Sequence, residues 1–214
     1  MADENSLRER LIDVGVDLVL TEGSASVGLR EIARRAGVSH GAPRRYFATH
    51  HALLSAVARR GFEDLAARFE TAVDPEAPPR AQLEHLAKTY VGYALECRGM
   101  FELMFRHDLL DGAQQDDGRL QLRTSTLPLF ERMVTLVGRC GDDPGAVHRP
   151  GPPCDSAVPP EVTAAALWSG LHGIAQLWTW GSLQLALATP PPGDQERDRL
   201  VTAVLDAHLG PVTA

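Results

Sequence analysis

Apolar residues recur three and four positions apart along almost the whole of this chain, and the two-residue alternation of a half-buried strand is nearly absent. That spacing confines the chain to an all-α fold. Leu7, Leu11, Val14 and Leu18 form one stripe, preceded by Ser6 and Glu9 at capping-box spacing and followed by Gly23, which predicts a first helix. A shorter helix fits about 28–36, closed by Gly37, and Ser39 can cap another over about 40–46. Thr49 can cap a fourth that runs through Leu53, Val57 and Leu65 towards residue 70. After the break at 74–79, Leu83, Leu86, Tyr90, Tyr93 and Cys97 mark a fifth, with Gly99 as its stop. A short apolar piece, 100–105, and a polar turn near 111–118 follow. Leu122, Thr126, Leu129, Met133 and Leu136 trace a further helix that Pro128 should start late or kink. Six prolines and four glycines between 138 and 160 predict a flexible loop. From about 161 to 188 the chain is apolar on almost every face, and from 194 to 209 it is amphipathic again.

At 214 residues the chain can bury a core large enough to need no disulfide or metal. The acidic start MADENSL does not look like a signal peptide, and no run approaches the roughly 18 apolar residues of a membrane span, so a cytoplasmic protein without membrane contact is expected. Cys97, Cys140 and Cys154 form no CxxC pair. Cys140, His148 and Cys154 share a loop, but their spacing matches no common zinc site, and no metal or other cofactor is expected. Neither HExxH nor a GxxxxGK loop occurs, and no catalytic residues are assigned.

Charge is concentrated. Residues 24–60 hold seven arginines (30, 34, 35, 44, 45, 59 and 60) against one acid, Glu31, a balance of +6 in a chain whose total is −7. An acidic protein with one basic segment suits a localised polyanion contact, or simply a solvated arginine face. The same segment, Leu29 to Phe47, has the layout of a helix-turn-helix: a helix, Gly37 in the turn, then Val38 and Ser39 opening a short second helix. His40, Arg44, Arg45 and Tyr46 give that second helix donors for a major groove, while Gly41 and Ala42 add little bulk.

On these residues the segment resembles the N-terminal region of the tetracycline-repressor (TetR) family of bacterial transcription regulators, over roughly residues 7–57. The resemblance implies a three-helix DNA-binding domain at 1–50 and a helical ligand-binding and dimerisation domain at 51–214. It places Ser39, His40, Gly41, Arg44, Arg45 and Tyr46 at the groove, with His50 at a backbone-contact position. Arg44 stands where the family often has tyrosine, and His50 where it often has lysine, so the phosphate clamp differs.

On a helical wheel of 166–183, Trp168, His172, Gln176 and Thr179 share one face and Gly170, Gly173, Leu177 and Gly181 a second. Leu167, Leu171, Ile174 and Trp178 make the third, so the helix is buried all round. Trp168, His172 and Gly173 resemble the WHG-type C-terminal domain of one branch of the family, which implies an effector pocket over about 80–209. Trp168, His172 and Gln176 are the candidate ligand contacts, opposed by Phe101, Met104, Phe105, Phe130 and Met133. The alternative for His172 is a satisfied core histidine. The glycine face, with Leu200, Val204 and His208, is expected to supply a homodimer interface, which would set two recognition helices about 34 Å apart on a palindrome.

The functional expectation is a dimeric repressor, not an enzyme, that binds a double-stranded operator and is released by a small apolar or amphipathic effector. Two alternatives stand beside it: a DNA-binding regulator with a protein partner or no effector, and an all-helical enzyme or carrier.

Overall fold

A computed structural model describes residues 2–23, 27–106, 116–141, 158–187 and 194–211. These residues form α1 (Ala2–Glu22), α2 (Leu29–Arg35), α3 (Pro43–Tyr46), α4 (His50–Ala72), α5 (Pro79–Glu96), α6 (Arg98–Phe105), α7 (Asp116–Gly141), α8 (Pro160–Thr179), α9 (Ser182–Leu187) and α10 (Asp194–Leu209). Among the described residues there is no strand, as the periodicity requires. No helix among them is long and apolar enough to cross a membrane.

Packing divides the chain into two compact units, Met1–Ala66 with Glu96–Leu127, and Ala67–Leu95 with Pro128–Ala214. These boundaries differ from the division expected at residue 50, because most of α4 and all of α6 pack with the N-terminal helices. In the first unit the fully buried residues Leu11, Ile12, Leu18 and Val19 of α1 share a core with Ile32 and Ala33 of α2, Leu53 and Val57 of α4, and Leu103 and Met104 of α6. Thr49 caps α4 as its spacing predicts, with the Ala52 N–H donating to Thr49 Oγ1 at 3.0 Å. Gly99, expected to stop the fifth helix, does something else. The fifth helix ends at Glu96, and Gly99 lies inside α6, where a Cβ would overlap the Val19 carbonyl of α1. Glycine is there for a close helix crossing.

In the second unit Leu83, Leu86, Ala87 and Val91 of α5 pack with Ala164, Leu167, Leu171 and Ala175 of α8 and with Val201 and Leu205 of α10. Arg80 at the start of α5 pairs with Asp206 of α10, and Lys88 bonds Glu84 at 2.7 Å with Asp198 3.9 Å away. Two sequence expectations are corrected. The helix through Pro128 begins at Asp116, before the proline, so the missing N–H costs one bond inside α7 rather than delaying it. The apolar run 161–188 is not one helix: α8 ends at Thr179, Gly181 adopts φ 78°, and α9 restarts at Ser182. Of the expected loop at 138–160, residues 138–141 close α7 and Pro160 opens α8, while 142–157 lie outside the described residues.

The glycine face of α8 is also corrected in part. A Cβ at Gly170 would stand 2.9 Å from Val204 Cγ1, so this glycine lets α8 approach α10 of the same chain rather than a second copy. Gly173 has open space around it, and Gly181 serves the break.

Candidate functional sites

The turn between α2 and α3 is built by backbone hydrogen bonds. The Val38 N–H donates to the Ala33 carbonyl at 3.0 Å and the Gly37 N–H to the Arg34 carbonyl at 3.2 Å, the paired bonds of a Schellman stop. That geometry needs a left-handed residue, and Gly37 supplies it with φ 68°. Ser39 then opens a turn in which its carbonyl accepts from the Ala42 N–H at 2.9 Å. The regular helix starts only at Pro43, later than the 40–46 expected, because Pro43 has no N–H to give to Ser39 in an α-helical ladder. Proline is well placed at the first position of α3.

This construction leaves Ser39, His40, Gly41, Arg44 and Arg45 exposed within seven residues of chain, with Tyr46 half-buried. Phe47 is core, 3% exposed, with the Arg8 guanidinium 5.5 Å from its ring centroid. His50 is held apart from that group: its Nε2 bonds the Val27 carbonyl and so ties the start of α4 to the segment before α2. The letters of residues 37–41 fit the G-x-S-x-G of a hydrolase elbow, but that elbow joins a strand to a helix and this segment joins two helices.

Pairing sorts the seven arginines. Glu31 accepts from Arg34 Nε at 2.9 Å and Nη2 at 2.5 Å, and from Arg35 Nε at 2.8 Å. Arg35 also bonds Glu22 and lies 3.9 Å from Asp17. Arg59 is 3.5 Å from Glu63, while Arg60 bonds Glu9 and stands 3.8 Å from Asp13. The two guanidinium groups on Glu31 hold its carboxyl at about 2, well below the usual carboxylate value. Arg30, Arg44 and Arg45 have no acidic partner among the described residues. The sequence count of +6 therefore overstates the uncommitted charge, because most of the compensating acids come from α1.

The second unit contains a polar chain that the sequence did not reveal. Trp168 Nε1 donates to Tyr90 Oη at 3.0 Å, and Tyr90 Oη is 2.8 Å from His172 Nδ1. Burial pushes the Tyr90 phenol up, with the Trp168 N–H partly opposing, and burial pushes the His172 imidazole down from its ordinary value. The imidazole is thus neutral at pH 7. Indole can only donate, so Tyr90 Oη accepts from Trp168, and the direction of its bond to His172 Nδ1 follows the imidazole tautomer. Tyr90, 6% exposed, is legible in the sequence only as one member of an apolar stripe.

Trp168, His172 and Gln176 lie at successive four-residue steps of α8 and are all half-buried. Phe130 and Met133 are half-buried on α7 in the same unit. Phe101, Met104 and Phe105 belong to the first unit. Phe105 meets Phe62 edge-on at 5.7 Å and Phe101 at 4.8 Å, and a Cβ at Gly61 would lie 2.7 Å from Met104 Sδ. Among the described residues no cluster of histidine, cysteine and acidic groups could hold a metal ion. His148 and Cys154 lie outside the described residues.

Comparison with known proteins agrees with this geometry. Residues 11–57 match the pattern described as bacterial regulatory proteins, tetR family, and residues 83–207 match a tetracyclin repressor-like C-terminal domain. A curated HTH-type transcriptional regulator from Xanthobacter autotrophicus is 31% identical over 104 residues. That match covers 45% of this chain and 49% of the relative, so the chain spans about half the length of that protein. A protein of unknown function from Rhodococcus sp. RHA1 superposes with TM-score 0.71 at 30% identity, covering 95% of this chain and 93% of its own. The TetR-family regulator PfmR from Thermus thermophilus shares the fold at TM-score 0.62 and 16% identity, covering 96% and 100%. RolR, solved with resorcinol, shares it at TM-score 0.64 and 18% identity, covering 98% and 90%.

Proposed function

Because the chain belongs to the TetR family of transcriptional regulators, DNA-binding proteins and not enzymes, we propose that it is a repressor that binds a palindromic operator as a homodimer in the cytoplasm and leaves it when a small apolar or amphipathic effector binds. The observation that carries the DNA half is the exposed set Ser39, His40, Gly41, Arg44 and Arg45, whose two arginines are uncommitted while their neighbours on α2 are paired. Arginine at such a position can grip guanine or phosphate. His50, bonded to Val27, contributes by bracing the head, and its second ring nitrogen is left for a backbone contact.

The dimer reading rests on α8. Val162, Ala166, Ser169, Leu177 and Trp180 are all exposed on one stripe that also holds the open Gly173, with Leu177 39% and Trp180 62% exposed. A contiguous small and apolar stripe of this kind suits a second copy. The effector reading rests on Trp168, His172 and Gln176, three half-buried side chains with polar atoms on one face of α8, with Phe130 and Met133 as apolar candidates of the same unit. The proposed set keeps to this unit; Phe101, Met104 and Phe105 belong to the first. RolR, of the same fold, was solved with resorcinol, and a small ring bearing polar groups is the class we propose. One observation favours the alternative without an effector: Trp168, Tyr90 and His172 already bond one another.

The test is footprinting of the DNA upstream of its own and neighbouring genes, with and without metabolite extract. A protected palindrome that is released by the extract supports the reading. Protection that no extract relieves favours the regulator without a small effector, and Arg44→Ala/Arg45→Ala binding at wild-type affinity removes α3 from the interface.

A further inference from the structure

In the first unit, α2 carries Arg34 and Arg35 just before the turn into α3, yet neither guanidinium is free. Glu31 lies one turn back on the same helix and reaches both, bonding two nitrogens of Arg34 and one of Arg35. Arg35 is held a second time by Glu22 of α1, with Asp17 at 3.9 Å. The adjacent Arg44 and Arg45 have no such partner among the described residues. The Arg34 side chain is 65% exposed and so pairs with Glu31 in contact with solvent, not because the core confines it.

We infer that Glu31, seconded by Glu22 and Asp17, is a specificity-setting residue of the DNA-binding head: it withholds Arg34 and Arg35 from the DNA backbone. The physical reason is the nature of phosphate binding. A guanidinium on a phosphate strengthens attachment to every sequence alike, because it carries no base information. Two additional loose arginines beside α3 would raise binding to the whole genome and dilute the discrimination made by Arg44 and Arg45. Pairing them internally keeps their helix-forming stems while removing their charge from the DNA. The clamp does not open by titration, since its carboxyl is held at about 2, below any pH at which the protein works.

The experiment is the salt dependence of binding of the full chain to a mixed-sequence duplex lacking the operator, from about 50 to about 200 mM salt. For Glu31→Gln the slope of log K against log salt should steepen by about 0.9 for each phosphate newly contacted, up to about 1.8 per head. An unchanged or flatter slope in a variant of wild-type helix content overturns the inference. A second pair of changes does not depend on Glu31: Arg34→Gln/Arg35→Gln in the otherwise unaltered chain should leave the slope as it was. If it flattens, those arginines already contact phosphate and the clamp is not a restraint. Arg44→Gln/Arg45→Gln must flatten the slope in either case, which separates failure of this inference from failure of the α3 interface.

Discussion

Tyr90→Phe removes one oxygen and nothing else from the second unit, so its effect isolates the Trp168–Tyr90–His172 chain. The hydroxyl accepts at 3.0 Å from Trp168 Nε1 and lies 2.8 Å from His172 Nδ1, on a residue that is 6% exposed. Each hydrogen bond contributes about 0.5–1.5 kcal/mol net, and a buried group that loses its partner costs about 1–3 kcal/mol. Trp168 and His172 are half-buried, so water can replace part of what they lose. The expected destabilisation is therefore about 1–3 kcal/mol, the range for two neutral bonds. For a chain of this size that corresponds to a fall of about 2–12 °C in Tm. Thermal and urea unfolding followed by circular dichroism reads it. A cycle with Trp168→Phe should show coupling, because the two changes remove the same bond from opposite ends. A Tm within about 1 °C of wild type, or strict additivity, would refute the view that these three groups form one network.

Burial lowers the His172 pKa, so the unfolded chain takes up a proton before the folded one does, and stability should fall as pH drops below about 6.5. His172→Gln should flatten that part of the profile, measured as urea midpoints at acid and neutral pH; equal slopes in both proteins would exclude His172 as its source. Gly99→Ala should cost about 1–3 kcal/mol, because the methyl meets the Val19 carbonyl rather than a side chain that can turn away, and an unchanged urea midpoint would show that α1 and α6 can separate freely. Leu177→Glu on the exposed stripe of α8 should give monomers by sedimentation and greatly weaken operator binding, whereas dimers of wild-type mass would place the interface elsewhere.

The helices were legible where a stripe and a boundary signal coincided, as at α1 and α4, and less so where glycine or proline carried two meanings. Gly99 reads locally as a helix terminator, but its reason is the backbone of α1 some eighty residues away in sequence, which no local pattern contains. Gly170 was read correctly as a residue of close approach, and only the identity of the approaching helix was hidden. Pro43 shows the opposite case: its consequence, a recognition helix that starts late, follows from chemistry visible in the sequence, namely an N–H that is not there. Tyr90 was on a predicted buried face, but burial of the ring says nothing about which donor meets its hydroxyl 78 residues further on.

Charge was the least legible property, and the reason bears on how the head works. Counting residues 24–60 treats every arginine alike, whereas the fold brings Glu9, Asp13, Asp17 and Glu22 of α1 and Glu63 of α4 against three of the seven, Arg35, Arg59 and Arg60, while Glu31 pairs Arg34. The Arg60–Glu9 pair joins residues 51 apart and the Arg35–Glu22 bond residues 13 apart, separations beyond any helical spacing rule. What remains uncommitted among the described residues is Arg30 at the start of α2 and the pair Arg44 and Arg45 on α3. A segment of +6 would suggest six or more phosphate contacts and a steep salt dependence, while three free cations per head imply a slope of about −2.7 per head from these residues. That difference is large enough to measure, and it sets the electrostatic footprint of this regulator by its tertiary pairing rather than by its arginine content.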